Sequence, residues 1–149
     1  MPSKIFGFLR MLVGAIFVVS GFMKLMQPYQ NFLLAVHGYQ ILSGISAEIF
    51  AKTMPWLEFL FGIFLVLGLW SKLSILALWA LNTLFIGVVG SAMIRRLPIH
   101  DCGCFGDSFS LPLYQMLLLD LALWFVFMCL AGFFDATRSF SLDKYFDNK

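Results

Sequence analysis

Four long apolar runs, separated by short polar stretches, set the pattern of this chain. The first covers residues 5–26, long enough for a helix that crosses a bilayer, which takes about 20 residues. Arg10 near one end and Lys24 at the other are placed to snorkel toward the two interfaces. Gly7, Gly14 and Gly21 recur every seven residues, near one helical face, where small residues let a neighbouring helix approach closely. Pro28 ends this run. Residues 29–54 are of mixed polarity and read as two short amphipathic pieces, 29–37 and 46–54, punctuated by Gly38 and Gly44. Glu48 and Lys52 form an i,i+4 pair of the favourable orientation. Neither piece is long or apolar enough to span, so both are expected at the membrane interface, over the mouth of the bundle. His37 reads as ordinary amphipathic packing.

The second long run is 55–70, with Pro55 in the first-turn position that suits it and Glu58 one turn in. A turn at Ser71-Lys72 leads to the third run, 73–94, whose middle carries Asn82 and Thr83, side chains that hydrogen-bond to neighbouring helices. Arg95-Arg96-Leu97-Pro98 stops it. The fourth run is 111–134, with Asp120 about nine residues inside, on the order of 13 Å from its start. Residues 135–149 are polar, and Trp56, Trp70 and Trp79 are expected near helix ends or one to two turns in, where aromatic belts form. The pattern predicts an all-α integral membrane four-helix bundle in one domain, with a short amphipathic interfacial segment between helices 1 and 2.

Composition agrees. Of 149 residues, 61% are hydrophobic and only 12% charged, against about 25% charged in a soluble domain. Mean hydropathy is +0.91. A net charge of +2 gives no sign of a nucleic-acid partner. Ser20 to Lys24 does not form a signal-peptidase site, so the first helix is expected to be retained. Four spans put both termini on one side. Six basic residues (Lys4, Arg10, Lys72, Arg138, Lys144, Lys149) fall on that side and four (Lys24, Lys52, Arg95, Arg96) on the other, which favours cytoplasmic termini. Residues 95–110 then lie on the outer face, a setting in which a disulfide persists.

That segment holds the candidate chemistry: His100, Asp101, Cys102, Gly103, Cys104 and Asp107, with Arg95 and Arg96 just upstream. Cysteines at i and i+2 can close a disulfide, and Gly103 between them removes a Cβ that would resist the twist. A ring across one residue adds little stability. Strained, exposed disulfides are the labile ones used for exchange, and Arg95, Arg96 or His100 close by would favour a thiolate. Two other readings stand beside this one. His100, Cys102, Cys104 and Asp107 offer metal ligands, although the spacing is tighter than in usual zinc sites. The segment can also be a loop without chemistry. Two acids sit within the spans, Glu58 and Asp120; intramembrane charges are costly and are commonly functional. Lys24 is placed to pair with Glu58. Reduction of a disulfide takes two electrons and two protons, so these groups are candidates for a proton path or for a quinone site between helices. Cys129, toward the inner face, reads as a small apolar residue.

Asp101-Cys102-Gly103-Cys104-Phe105-Gly106 resembles the loop signature of the MauE branch of the DoxX-like membrane proteins. The likeness extends over nearly the whole chain. Arg10 through Gly14 to Ser20-Gly21-Phe22-Met23-Lys24-Leu25 is similar to the first helix of that group. Pro55-Trp56-Leu57-Glu58, then Gly62, Leu65 and Gly68, is similar to its second. Gly38-Tyr39-Gln40-Ile41-Leu42 resembles the segment before it, with Ser43 where the group often has proline. The resemblance implies a four-helix protein of the bacterial inner membrane that handles disulfides with a thioredoxin-like periplasmic partner. It marks Cys102 and Cys104 as the redox pair, Glu58 as a motif position, and a quinone as a candidate carrier. The alternative expectation is a non-catalytic membrane anchor or assembly partner for a periplasmic enzyme, or a metal-binding loop protein. The glycine faces permit a homodimer, and membrane lipid is the surrounding partner.

Overall fold

A computed structural model describes residues 2–97 and 112–133. Five helices follow one another: α1 (Pro2–Met26), α2 (Tyr29–Gly38), α3 (Ile45–Leu67), α4 (Ser71–Ile94) and α5 (Leu113–Gly132). Four of them, all but α2, are long and apolar enough to cross a membrane. Among the described residues there is no strand. This is the all-α membrane bundle that the runs predict.

Local chemistry sets the breaks. Pro28 pushes Gln27 out of the helical region and starts α2, its carbonyl accepting from Asn31 N–H at 3.0 Å. Gly44, at φ +63°, turns the chain into α3. At the far end Gly68 takes the left-handed conformation, and Leu69 N–H reaches back to Phe64 O at 2.9 Å, the Schellman closure. Arg96 closes α4 in the same way although it is not glycine, with Leu97 N–H bonded to Ala92 O at 3.1 Å.

The main correction concerns α3. The helix expected over 55–70 begins ten residues earlier, at Ile45, and runs straight through Pro55. The piece 46–54 is its first half, not an interfacial segment. Proline costs the bond from its own nitrogen to Ala51 O, a loss that membrane helices tolerate within a packed bundle. Ala47, Ala51, Met54, Glu58, Gly62 and Leu65 are all buried, a stripe at steps of three and four that passes Pro55 without a break. Trp56 is therefore mid-helix and outward-facing, not at a helix end. The piece 29–37 does form α2. It packs against the first half of α3, burying Phe32 and Val36 with Ala47, Ala51 and Met54. The other helix bounds, expected at 5–26, 73–94 and 111–134, lie within a few residues of α1, α4 and α5.

α1 pairs with α3 and α4 with α5, while α3 and α4 join the two pairs. Gly14 and Gly21 do face α3, as their spacing predicts: a Cβ on Gly21 would lie 2.7 Å from Phe59 N and 2.9 Å from Pro55 O. Apolar cores fill both ends. At the α3–α4 turn, Val13, Phe17, Leu65, Ile75, Leu78 and Phe127 pack together. At the opposite end Tyr39, Val89 and Ala92 meet, with Leu113 and Leu117 against them. Arg10 does not snorkel; it is fully buried.

Candidate functional site

Between the two cores lies a polar layer. Lys24 near the end of α1 points inward and meets Glu58 of α3, with Nζ 2.7 Å from Oε2 and 2.9 Å from Oε1. Both side chains are about 1% exposed. Ser20, one turn before Lys24, accepts from its ammonium at 3.2 Å and donates to Glu58 Oε2 at 3.3 Å. The pair expected from sequence is therefore formed, while Lys24 does not snorkel. Counted from Ile45, Glu58 is thirteen residues into α3, roughly 20 Å along it. It is a mid-helix residue, not one a single turn from the surface.

Asp120 on α5 belongs to the same layer. Asn82, mid-way along α4, donates from Nδ2 to the Asp120 backbone carbonyl at 2.8 Å and so ties α4 to α5. Thr83 accepts from the Trp124 indole at 3.2 Å in a second such tie. Interhelical bonding by Asn82 and Thr83 is as their positions predict. A cavity of about 30 Å³ brings Ser20, Lys24, Glu58 and Asp120 to one space, with Phe85 and Met116 among its apolar walls.

Phe85 is also a wall of a second, larger space. A chamber of about 280 Å³ lies between α2, α3 and α4, lined by Phe32, Val36, Tyr39, Phe50, Phe85 and Val89 among others. Its lining is almost wholly apolar. The Lys24 ammonium sits over the rings of Phe85, at 5.0 Å, and Phe32, at 5.4 Å, within cation–π range. Two aromatic rings thus separate the charged layer from the chamber. Ile41 and Leu84, both about half exposed, stand at its rim.

At the chamber's far end, the Arg95 guanidinium donates to the Tyr39 backbone carbonyl. A cation at the end of α2 suits its carbonyl-rich terminus. This contact gives Arg95 a structural duty, beside the thiolate-favouring one expected from sequence. Burial, reinforced by the Asp120 carboxylate, pushes the Tyr39 phenol up to about 12 from an ordinary 10.0. The folded state holds this proton more tightly than the unfolded chain does. That contribution is complete below the ordinary tyrosine value and is lost as pH rises through about 12. Alkaline titration followed by phenolate absorbance should show a late component that Tyr39→Phe removes. Titration of every tyrosine at the ordinary value would contradict this.

His100, Cys102 and Cys104, and with them Asp101 and Asp107, lie outside the described residues. The segment that carries them connects the end of α4 at Ile94 to the start of α5 at Leu113, the end where Tyr39 and Arg95 meet. Among the described residues, no group of three or more His, Cys, Asp or Glu side chains is gathered to hold a metal. Cys129 is exposed on the outside of α5 and unbridged. His37 is exposed too.

Sequence reasoning missed Ser20 as a bridge and Arg10 as a buried cation. The signal was present: Arg10, Val13, Phe17, Ser20 and Lys24 follow one another at steps of three and four, and all are buried. Polar members of a stripe that is otherwise core face inward with it.

No curated protein and no solved structure matches the chain. The family model described as "Methylamine utilisation protein MauE" matches residues 2–134, which takes in every helix, the polar layer and the Cys102–Cys104 segment. The chain therefore belongs to the MauE family of membrane proteins.

Proposed function

We propose that this protein is a membrane thiol–disulfide redox protein whose Cys102–Cys104 pair exchanges with a thioredoxin-like partner at the outer face. The observation that carries the reading is the C-x-C pair in the sequence that connects α4 to α5; the α4 end from which it departs is the one where Arg95 meets Tyr39, a wall of the apolar chamber. Exchange starts when a thiolate of one protein attacks a sulfur of the other's disulfide. The mixed disulfide is resolved by the second thiol, so one protein leaves oxidised and the other reduced. The two electrons and two protons moved in each cycle need a membrane-soluble carrier. A quinone is the matching class: it becomes the quinol as a dithiol closes to the disulfide, and the reverse reaction returns both. Glu58, Asp120 and Lys24 support this chemistry as the ionisable groups gathered in the layer behind Phe85 and Phe32, and Arg95 and His100 support it as basic residues near the thiols in sequence. Cytoplasmic termini and an inner-membrane location complete the reading.

Cys102→Ser and Cys104→Ser each abolish exchange with a purified thioredoxin-fold protein. One of them accumulates the mixed disulfide, because its resolving thiol is gone. Both variants elute and unfold as wild type does, since a ring across one residue contributes little stability. Unchanged exchange, or loss of the fold, would refute the reading. Exchange lost together with a stoichiometric metal would replace it with a metal-binding loop.

A further inference from the structure

Charge does not balance in the polar layer. An ammonium has three N–H donors. Those of Lys24 reach Glu58 Oε1, Glu58 Oε2 and Ser20 Oγ, which leaves none for Asp120. Asp120 is 6% exposed, and its Oδ2 has no hydrogen-bond partner among the described residues. Asn82 has given its Nδ2 to a backbone carbonyl, and its Oδ1 is a second buried acceptor without a donor. Each helix around Asp120 has been accounted for. α1 brings Lys24, α3 brings Glu58, α4 brings the neutral Asn82, and the end of α2 brings the Tyr39 phenol. One cation thus faces two carboxyl groups. A buried carboxylate whose Oδ2 has no donor, and whose neighbouring cation is already bonded to another carboxylate, is costly, and taking up a proton removes the cost. The proton also supplies a donor where two acceptors lack one.

We propose that Asp120 binds an exchangeable proton in the middle of the bundle, beside the Lys24–Glu58 ion pair, with water in the cavity that joins them. The cavity of about 30 Å³ has room for about two waters, each of which needs roughly 10–15 Å³ by the same kind of measure. Ser20, Lys24, Glu58 and Asp120 provide the two to four polar partners a buried water needs. The site does not depend on the thiol reading. It stands or falls with the charge count in the layer, and thiol exchange can be present or absent without changing it.

Infrared spectroscopy of the full-length protein in lipid at neutral pH tests the proposal. An un-ionised carboxylic acid has a carbonyl stretch that a carboxylate lacks. Wild type shows one such band, which shifts on transfer to deuterium oxide. Asp120→Asn removes it. Glu58→Gln also removes it, because Lys24, deprived of its carboxylate, draws Asp120 into the ionised form. Absence of the band in wild type, its persistence in Asp120→Asn, or a band that does not shift in deuterium oxide would each overturn the proposal. Circular dichroism of the same samples confirms that the variants are folded.

Discussion

Lys24→Met destabilises the bundle by roughly 3–5 kcal/mol, the range seen when one member of a buried ion pair is stranded. Glu58 is held by Lys24 and by the Ser20 hydroxyl, and both charged side chains are about 1% exposed. Without the ammonium, the Ser20 hydroxyl is the one side-chain donor shown to be left for this buried charge. The double variant Lys24→Met/Glu58→Met recovers most of the loss, because a buried pair replaced by apolar side chains of similar size is commonly neutral or better. Unfolding in detergent micelles, followed by circular dichroism, compares the three proteins. A single variant as stable as wild type, or a double variant worse than the single, would contradict the burial and pairing of these residues. The exposed pair Lys52–Glu48, at 2.8 Å, is a contrasting case: its removal leaves the stability close to that of wild type, because solvent screens the charges.

Gly21→Ala costs about 1–3 kcal/mol, and Gly21→Leu more. The added Cβ meets backbone, Phe59 N at 2.7 Å and Pro55 O at 2.9 Å, and backbone cannot turn away as a side chain tip can. α1 must move off α3. Since Lys24 is one turn further along α1, the same displacement lengthens the Lys24–Glu58 contact, so the two losses are coupled. Gly90→Ala is the control. A Cβ there meets nothing within 4 Å, and alanine's better helix propensity makes the change neutral or stabilising by up to about 1 kcal/mol. The same unfolding assay reads both. Equal effects at Gly21 and Gly90 would contradict the close α1–α3 crossing.

How far the sequence could be read follows from where helical periodicity was followed and where it was broken by rule. The four spans, the α2 piece, the Lys24–Glu58 pair and the glycine face of α1 were all legible, since each rests on spacing along one helix or on the cost of a charge in lipid. The start of α3 departs from the expectation because Pro55 reads as a first-turn proline. Its position there satisfies a local rule, yet the stripe Ala47, Ala51, Met54, Glu58 carries the helix through it. That error also placed Glu58 near the surface instead of mid-helix. Arg10 departs from its expectation for a related reason: long cations near the ends of apolar runs usually reach for the interface, and its register with Val13 and Phe17 marks it as inward-facing. The joining of Asp120 to the Lys24–Glu58 pair was not legible in detail, because the rotational settings of α1, α3 and α5 about one another depend on packing across the whole bundle.

The redox state and midpoint potential of Cys102–Cys104 in native membranes, measured by thiol trapping across a series of dithiol buffers, test the central claim most directly. The account predicts a pair that titrates reversibly between about −120 and −270 mV, the span of known exchange proteins. A pair that stays as thiols at every potential, or that is shielded by a metal a chelator removes, would contradict it.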